Sequence, residues 1–156
     1  MPFFEIFDKR WFLLTAGDFA AGDYNTMTVS WGFLGTMWGL PVAQVVVRPQ
    51  RHTRLFMDKY DTFTLCSFPE KYRPALTLLG TKSGRDGDKI AASGLTPRAS
   101  AHVAAPSFAE ADITYECRKL FRQPMTAESM LSDKALRNYP ANDFHIVYIG
   151  EVVNEK

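Results

Sequence analysis

The stretch that decides the fold is residues 24–47, YNTMTVSWGFLGTMWGLPVAQVVV. It carries no charged residue over 24 positions, which is long enough to span a bilayer. Glycines, a proline and several hydroxyl and amide residues divide it into short pieces, a pattern typical of soluble strands joined by turns. Residues 25–31 alternate with a period of two. We therefore predict strands at 25–31, 33–38 and 41–47.

Similar short apolar runs, separated by turn residues, continue on both sides of this stretch. They predict four further strands, at 11–16, 62–68, 113–121 and 144–153. Helical spacing of apolar residues predicts two helices, at 52–60 and 70–80, and short helical segments within 89–93 and 127–139. Thr53 is the predicted N-cap of the first helix. The Ala-, Ser- and Pro-rich residues 96–106 are predicted to form a surface loop.

The order of these elements points to a mainly β protein with minor α content. There is no βαβ alternation and no internal repeat, and many short strands usually close into a small antiparallel barrel. The chain has 156 residues, 46% of them apolar, enough for one core without disulfides or metals. We predict a single domain over residues 1–156.

Charge and composition exclude several classes of function. Eighteen basic against 17 acidic residues give a net charge of +1, so neither nucleic acid nor an anionic membrane is an expected partner. Glu5 and Asp8 interrupt the position where a signal peptide would be apolar, so we expect a cytoplasmic protein. Cys66 and Cys117 are far apart and the histidines are scattered, so we expect two buried free thiols and no metal site.

Motifs of common hydrolases and nucleotidases are absent. The chain has no G-x-S-x-G, no H-E-x-x-H and no G-x-G-x-x-G, and residues 80–84 lack the spacing of a phosphate-binding P-loop. No catalytic side chain is therefore predicted.

Two basic segments could hold an anion. Residues 48–54, RPQRHTR, lie between a predicted strand and a predicted helix, where Arg51 and Thr53 could bind a phosphate. Residues 83–89, SGRDGDK, combine glycines with the cation of Lys89. For either segment alone, a solvated helix face or an ordinary turn is the favoured interpretation. Because both segments occur in one nearly neutral chain with an apolar barrel nearby, the structural and the anion-binding interpretations stay open.

The strand at 25–31 carries a third signal. Its hydroxyl side could bind a flat polar heterocycle, and Trp31 could stack on it. From the pattern alone, a solvated hydroxyl face with Trp31 in the core is the favoured interpretation.

Five segments together resemble the flavin reductase-like proteins of the FMN-binding split-barrel superfamily, in particular the flavoredoxin type. They are NTMTVSW (25–31), VVVRPQRHT (45–53), FTLCSFP (63–69), GTKSGRDGDK (80–89) and DFHIVYIGEV (143–152). The resemblance implies a six-stranded antiparallel split β-barrel with a few peripheral helices. It also implies a homodimer, with FMN bound at or near the subunit interface.

The resemblance also implies which residues contact the cofactor. The strand residues around the isoalloxazine ring would be Asn25, Met27, Thr28, Val29, Ser30 and Trp31. The residues toward the ribityl phosphate would be Arg48, Arg51, Thr53, Ser83, Gly84 and Lys89. Cys66 and Ser67 would lie beside the ring, and His145 would lie on the nicotinamide or substrate side. Cys66 is expected to be packed rather than redox-active.

Three hypotheses for function follow from the resemblance. The first is an FMN-dependent oxidoreductase in which NAD(P)H reduces the flavin and a small molecule or protein accepts the electrons. The second is an FMN-carrying electron-transfer or storage protein without NAD(P)H activity of its own. The third is a relative that has lost flavin and serves as a binding scaffold, which the intact basic segments argue against.

Overall fold

Nine strands are found in the described part of the chain, and the seven longer ones form where the sequence alternates or runs apolar. The computed structural model describes residues 3–156. The strands are β1 (Phe12–Asp18), β2 (Asp23–Val29), β3 (Gly32–Met37), β4 (Leu40–Val47), β5 (Thr62–Ser67), β6 (Pro97–Arg98), β7 (Ser107–Phe108), β8 (Ile113–Pro124) and β9 (Ile146–Glu155). The seven predicted strands are confirmed, with ends that shift by up to three residues.

Short helices fill the connections between strands. The α-helices are α1 (Ile6–Arg10), α2 (Thr53–Lys59), α3 (Arg73–Thr81), α4 (Lys89–Ser93) and α5 (Asp133–Leu136). Single 3₁₀ turns are found at Phe3–Glu5, Glu70–Tyr72, Gly84–Asp86 and Ala127–Ser129. The N-cap prediction for Thr53 is wrong, because Thr53 is the first residue of α2 and its hydroxyl accepts a hydrogen bond from Asn25 instead.

Seven strands form one antiparallel sheet in the order β2-β1-β5-β8-β9-β4-β3. Its two edge strands, β2 and β3, are joined directly by Ser30 and Trp31. In a flat sheet six strand spacings would separate these edges by about 29 Å, whereas three Cα steps reach only about 11 Å. The sheet must therefore roll up until its two edges approach each other.

The rolled sheet encloses one apolar core and carries a second on its outside. In the inner core, Val29 of β2 belongs to the same buried cluster as Val45 of β4, although these strands lie near opposite ends of the sheet order. In the outer core, Leu76 and Leu79 of α3 pack with Leu13 of β1. Successive side chains of a strand point to opposite faces of the sheet, so some pack into the inner core and others into the outer core. This explains the dense apolar pattern of the sequence.

Two fold predictions need correction. The expected six-stranded barrel is a seven-stranded sheet that does not close, since β2 and β3 are not hydrogen-bonded to each other. The predicted surface loop at 96–106 contains the short strand β6, and the carboxylate of Glu116 anchors it by accepting the backbone N–H groups of Ala101 and His102, at 2.9 and 2.6 Å. Such bonds satisfy backbone donors that would otherwise need water.

The uncharged stretch at 24–47 forms most of β2 and all of β3 and β4, as predicted. Among residues 3–156, no helix has the length and apolar character needed to cross a membrane. Cys66 and Cys117 are both buried and free, which confirms the expectation for the thiols.

Candidate functional site

A pocket of about 230 Å³, here called the strand pocket, opens where β2 ends. Its lining residues are Met27, Thr28, Val29, Ser30, Trp31, Val46, Arg48 and His145. All except Val46 are predicted site residues, and they come from three distant parts of the chain. The rolled sheet brings them together.

Trp31 forms one wall of the strand pocket because the chain leaves the sheet there to cross from β2 to β3. Its side chain is 47% exposed, so the interpretation that placed it in the core is wrong. Its ring meets the imidazole of His145 edge-on, with the centroids 5.5 Å apart. An exposed indole beside a pocket can cover a flat apolar ligand.

The hydroxyl side of β2 is largely used by the protein itself. Thr26 is fully buried; its hydroxyl accepts from Thr15 at 2.9 Å and donates to the Leu14 carbonyl at 3.1 Å. The Thr28 hydroxyl donates to the carbonyl of Leu76 in α3. A ligand in the strand pocket therefore meets the end of β2 rather than a free row of hydroxyls.

Arg48 is held at the pocket wall by several contacts. Its guanidinium lies 3.0 Å from the carboxylate of Asp143 and donates to the Asn138 carbonyl at 3.0 Å. It also lies 5.1 Å from the ring centre of Tyr139. The charge of Arg48 is partly compensated by Asp143 and its side chain is held in place. Arg48 therefore acts mainly as a fixed part of the pocket wall rather than as a mobile cation.

His145 lines the strand pocket beside Trp31. Its Nδ1 lies 2.7 Å from the hydroxyl of Tyr139 in a buried hydrogen bond. Burial, and next to it the charge of Arg48, lowers the pKa of His145 to about 4, while Asp143 acts in the other direction. The imidazole is therefore neutral at physiological pH.

A second pocket, here called the basic pocket, has a volume of about 130 Å³ and lies between the start of α2 and the end of α3. Its lining residues are Gln50, Arg51, His52, Thr53, Thr81, Lys82, Ser83, Arg85 and Lys89. Of these described residues, four are cationic and none is acidic. Such a donor set suits a small anion.

Two of the cations are fixed on the last carbonyls of α3. Lys89, only 6% exposed, donates from Nζ to the carbonyls of Leu79 and Lys82, both at 3.0 Å. Arg51 donates from Nη1 to the carbonyl of Gly80 at 2.9 Å. Helix C-termini leave such carbonyls unpaired and carry partial negative charge. The hydrogen bonds from Lys89 and Arg51 pair these carbonyls and hold both cations in place.

Burial, followed by the nearby charge of Arg51, lowers the pKa of Lys89 to about 8. Burial likewise lowers the pKa of Arg51. The surroundings therefore disfavour the protonated forms of Lys89 and Arg51, and a bound anion would stabilise both protonated forms.

Glycine is required at position 84 by a close approach. A Cβ placed there would lie 2.5 Å from Oδ1 of Asn25 and 3.0 Å from Cδ2 of His52. The amide of Asn25 in turn donates to the Thr53 hydroxyl at 2.9 Å. Asn25 and Gly84 thus lie behind the basic pocket and fix the position of its lining.

Gly80 connects the two pockets. A Cβ at Gly80 would lie 3.1 Å from that of Thr28, which lines the strand pocket. Its carbonyl accepts from Arg51, which lines the basic pocket. The two pockets therefore adjoin across the last turn of α3.

Four predicted site residues line neither pocket: Asn25 and Gly84, which lie behind the basic pocket, and Cys66 and Ser67. Cys66 is fully buried, with Sγ 3.7 Å from the Thr114 hydroxyl, and burial raises the pKa of its thiol to about 11. The Ser67 hydroxyl donates to Asp112 at 3.0 Å. The structure places Cys66 in the outer core rather than with the other predicted residues.

Several pocket residues were missed at the level of sequence. Missed residues within the two basic segments are Gln50, His52 and Arg85. The whole segments therefore predicted the pocket lining better than the single residues selected from them. Tyr139 lies in an irregular segment, and no pattern marks it. Only its contact with His145 reveals it.

Comparisons with known proteins identify the family and the fold. A family model described as "Flavin reductase like domain" matches residues 6–156. No curated protein matches the chain.

Solved structures with the same fold have low sequence identity. Flavoredoxin of Desulfovibrio vulgaris (Miyazaki F) is 22% identical with a TM-score of 0.72; the match covers 94% of this chain and 68% of that one. An FMN-binding protein from Thermus thermophilus with bound 1-cyclohex-2-enone is 20% identical, with a TM-score of 0.72 and coverages of 94% and 69%. Nitrilotriacetate monooxygenase component B from Bacillus cereus is 19% identical, with a TM-score of 0.72 and coverages of 94% and 68%. At these identities the likeness establishes the fold alone.

Proposed function

The chain belongs to the flavin reductase-like domain family, and from this premise we propose that it binds FMN and acts as an NAD(P)H-dependent oxidoreductase. The observation that carries the proposal is the pairing of two adjoining pockets. One is a basic pocket without acidic lining, and the other is a strand pocket lined by neutral, aromatic and apolar groups besides Arg48.

The basic pocket fits the phosphate of FMN. Arg51 and Lys89 are fixed before any ligand arrives, so little side-chain ordering opposes binding. The hydroxyls of Thr53 and Ser83 add donors that suit phosphate oxygens. These residues would hold the phosphate group.

The strand pocket fits the ring system. Met27, Val29 and Val46 offer apolar contact, and Trp31 covers the open side. Bound FMN supplies the redox chemistry by taking up and releasing a hydride equivalent, so the protein needs only to bind, orient and shield it. That division of labour agrees with a site that has no nucleophile–base pair.

Support for a small-molecule reaction partner comes from the relatives. The Thermus thermophilus protein is described as FMN-binding with 1-cyclohex-2-enone bound, and a second structure of it contains p-hydroxybenzaldehyde. By analogy, we propose that a small ring compound can occupy the strand pocket beside the flavin, where His145 and Trp31 would contact it.

We further propose that the active form is a homodimer formed through the β3 edge. β3 pairs with β4 on one side only, among the described strands. It presents Phe33, 68% exposed, and the turn after it presents Trp38, 56% exposed, next to Phe121. Apolar surface on an edge strand favours association. Light scattering of the wild type should show a dimer and Phe33→Glu a monomer; a monomeric wild type would contradict this part.

The function is tested by mixing purified protein with FMN and following flavin fluorescence. NADH or NADPH is then added without oxygen and absorbance is recorded at the flavin band. Tight binding and rapid bleaching support the proposed oxidoreductase. Binding without bleaching would identify the alternative, an FMN-carrying electron-transfer or storage protein. Failure to bind FMN would refute both and leave the scaffold hypothesis.

A further inference from the structure

Tyr139 and His145 form a buried pair at the wall of the strand pocket. The Tyr139 hydroxyl lies 2.7 Å from His145 Nδ1, and the rings meet edge-on with centroids 5.4 Å apart. Trp31 contacts the same imidazole from another direction, at 5.5 Å. The imidazole is thus held by two aromatic rings and one hydrogen bond.

The direction of that hydrogen bond follows from the available acceptors. Among residues 3–156 the Tyr139 hydroxyl contacts two acceptors, His145 Nδ1 at 2.7 Å and the thioether sulfur of Met125 at 3.6 Å. A neutral imidazole nitrogen is a far better acceptor than a thioether. Burial raises the pKa of Tyr139, so its proton stays in place. The hydroxyl therefore donates to Nδ1, and the imidazole proton lies on Nε2.

The Nε2–H group is available to a ligand. Within residues 3–156 it has no hydrogen-bond partner, and it is not one of the fully buried unpaired side-chain atoms. Of the pockets found among these residues, His145 lines only the strand pocket. The low pKa of His145, about 4, keeps the group an uncharged donor.

We propose that Tyr139 is a positioning residue that fixes His145 in the Nε2–H tautomer, and that His145 donates this hydrogen bond to a neutral carbonyl oxygen of the ligand beside the flavin. The tautomer is a property of the chain alone, whereas the carbonyl partner rests on the proposed function. An uncharged N–H gains little from a carboxylate, which would lose its hydration without a matching charge. The nearby cation, Arg48, is already paired with Asp143. The pocket should therefore select neutral carbonyl compounds over carboxylates.

The first test uses nitrogen-15 NMR of the histidine rings at pH 7, without flavin. The wild type should show a protonated Nε2 and an unprotonated Nδ1 for His145. Tyr139→Phe, which removes only the hydroxyl, should mix the two tautomers and move both shifts. Tyr148→Phe is the matched control, since its buried hydroxyl bonds Asp58 instead and its loss should leave the His145 shifts unchanged. A protonated Nδ1 in the wild type, or unchanged shifts in Tyr139→Phe, would overturn the assignment.

The second test titrates the FMN-loaded protein with benzamide and benzoate, which share a ring and differ in a neutral carbonyl against a carboxylate. The wild type should bind benzamide about tenfold more tightly, as expected for one good hydrogen bond. The preference should shrink in Tyr139→Phe and vanish in His145→Phe. Equal binding by the wild type, or a preference for benzoate, would refute the carbonyl role. Because FMN loading is measured first, its failure is recognised separately as a failure of the proposed function.

Discussion

The strand pocket and the basic pocket adjoin, yet their linings differ in charge. The basic pocket is lined by cations whose hydrogen bonds to α3 carbonyls fix them in advance. The strand pocket is lined by uncharged groups, with one cation that a carboxylate already pairs. The difference implies that, under the proposed function, affinity and selectivity would be divided: charge in the basic pocket would retain the phosphate, and shape and neutral donors in the strand pocket would receive the ring and its partner.

Riboflavin, which is FMN without the phosphate, separates the two contributions. Arg51→Ala should weaken FMN binding by about 1–3 kcal/mol, as for loss of a charged hydrogen bond, and leave riboflavin binding unchanged. Fluorescence quenching measures both affinities. Arg54→Ala is the matched control, because Arg54 lies three residues further on and bonds Asp58 and the Pro49 carbonyl instead. An equal loss for both flavins would contradict the division between pockets.

The converse change tests the strand pocket. Trp31→Ala should weaken FMN and riboflavin equally, by about 1 kcal/mol, because the ring is common to both and loses an aromatic contact. Leu131→Ala removes an exposed apolar side chain that lines neither pocket and serves as the control. If Trp31→Ala affected FMN alone, the ring would not lie in the strand pocket.

The smallest expected effect is a dependence of FMN affinity on pH. The pKa of Lys89 is about 8 without ligand, and its protonated form attracts phosphate, so affinity should fall as pH rises through 8. From pH 7 to 8.5 the dissociation constant should rise by about fourfold, as one such equilibrium gives. Riboflavin affinity should stay constant, because His145 remains neutral over this range. Lys89→Met should abolish the dependence; a wild-type affinity independent of pH would show that Lys89 does not meet the phosphate.

Much of the fold was predictable because it depends on local periodicity. The alternation in 25–31 and the β-branched run in 45–47 mark strands that the structure contains. The rolling of the sheet could not be predicted from these patterns, because it depends on the order of the strands in the sheet, which places β2 and β3 at its two edges. The anchoring of the loop at 96–106 likewise depends on Glu116, a residue outside that segment.

The site was predictable as segments but not as contacts. The two basic segments and the end of β2 supply most of the lining of both pockets. What the pattern could not show is that Arg51 and Lys89 bind the end of α3, since both contacts join residues ten or more positions apart. Cys66 illustrates the reverse, because its strand and its burial were both expected, while its place in the outer core, away from both pockets, was not.

The two-residue crossing from β2 to β3 has a consequence for the order of events during folding. Because Ser30 and Trp31 cross directly from β2 to β3, the pocket walls from β2 and β4 lie close in sequence, whereas His145 comes from the far end of the chain. Contacts between residues so far apart in the chain are slow to form. A partly folded intermediate without the contacts of His145 therefore lacks a complete strand pocket, so under the proposed function flavin binding would report on the finished chain.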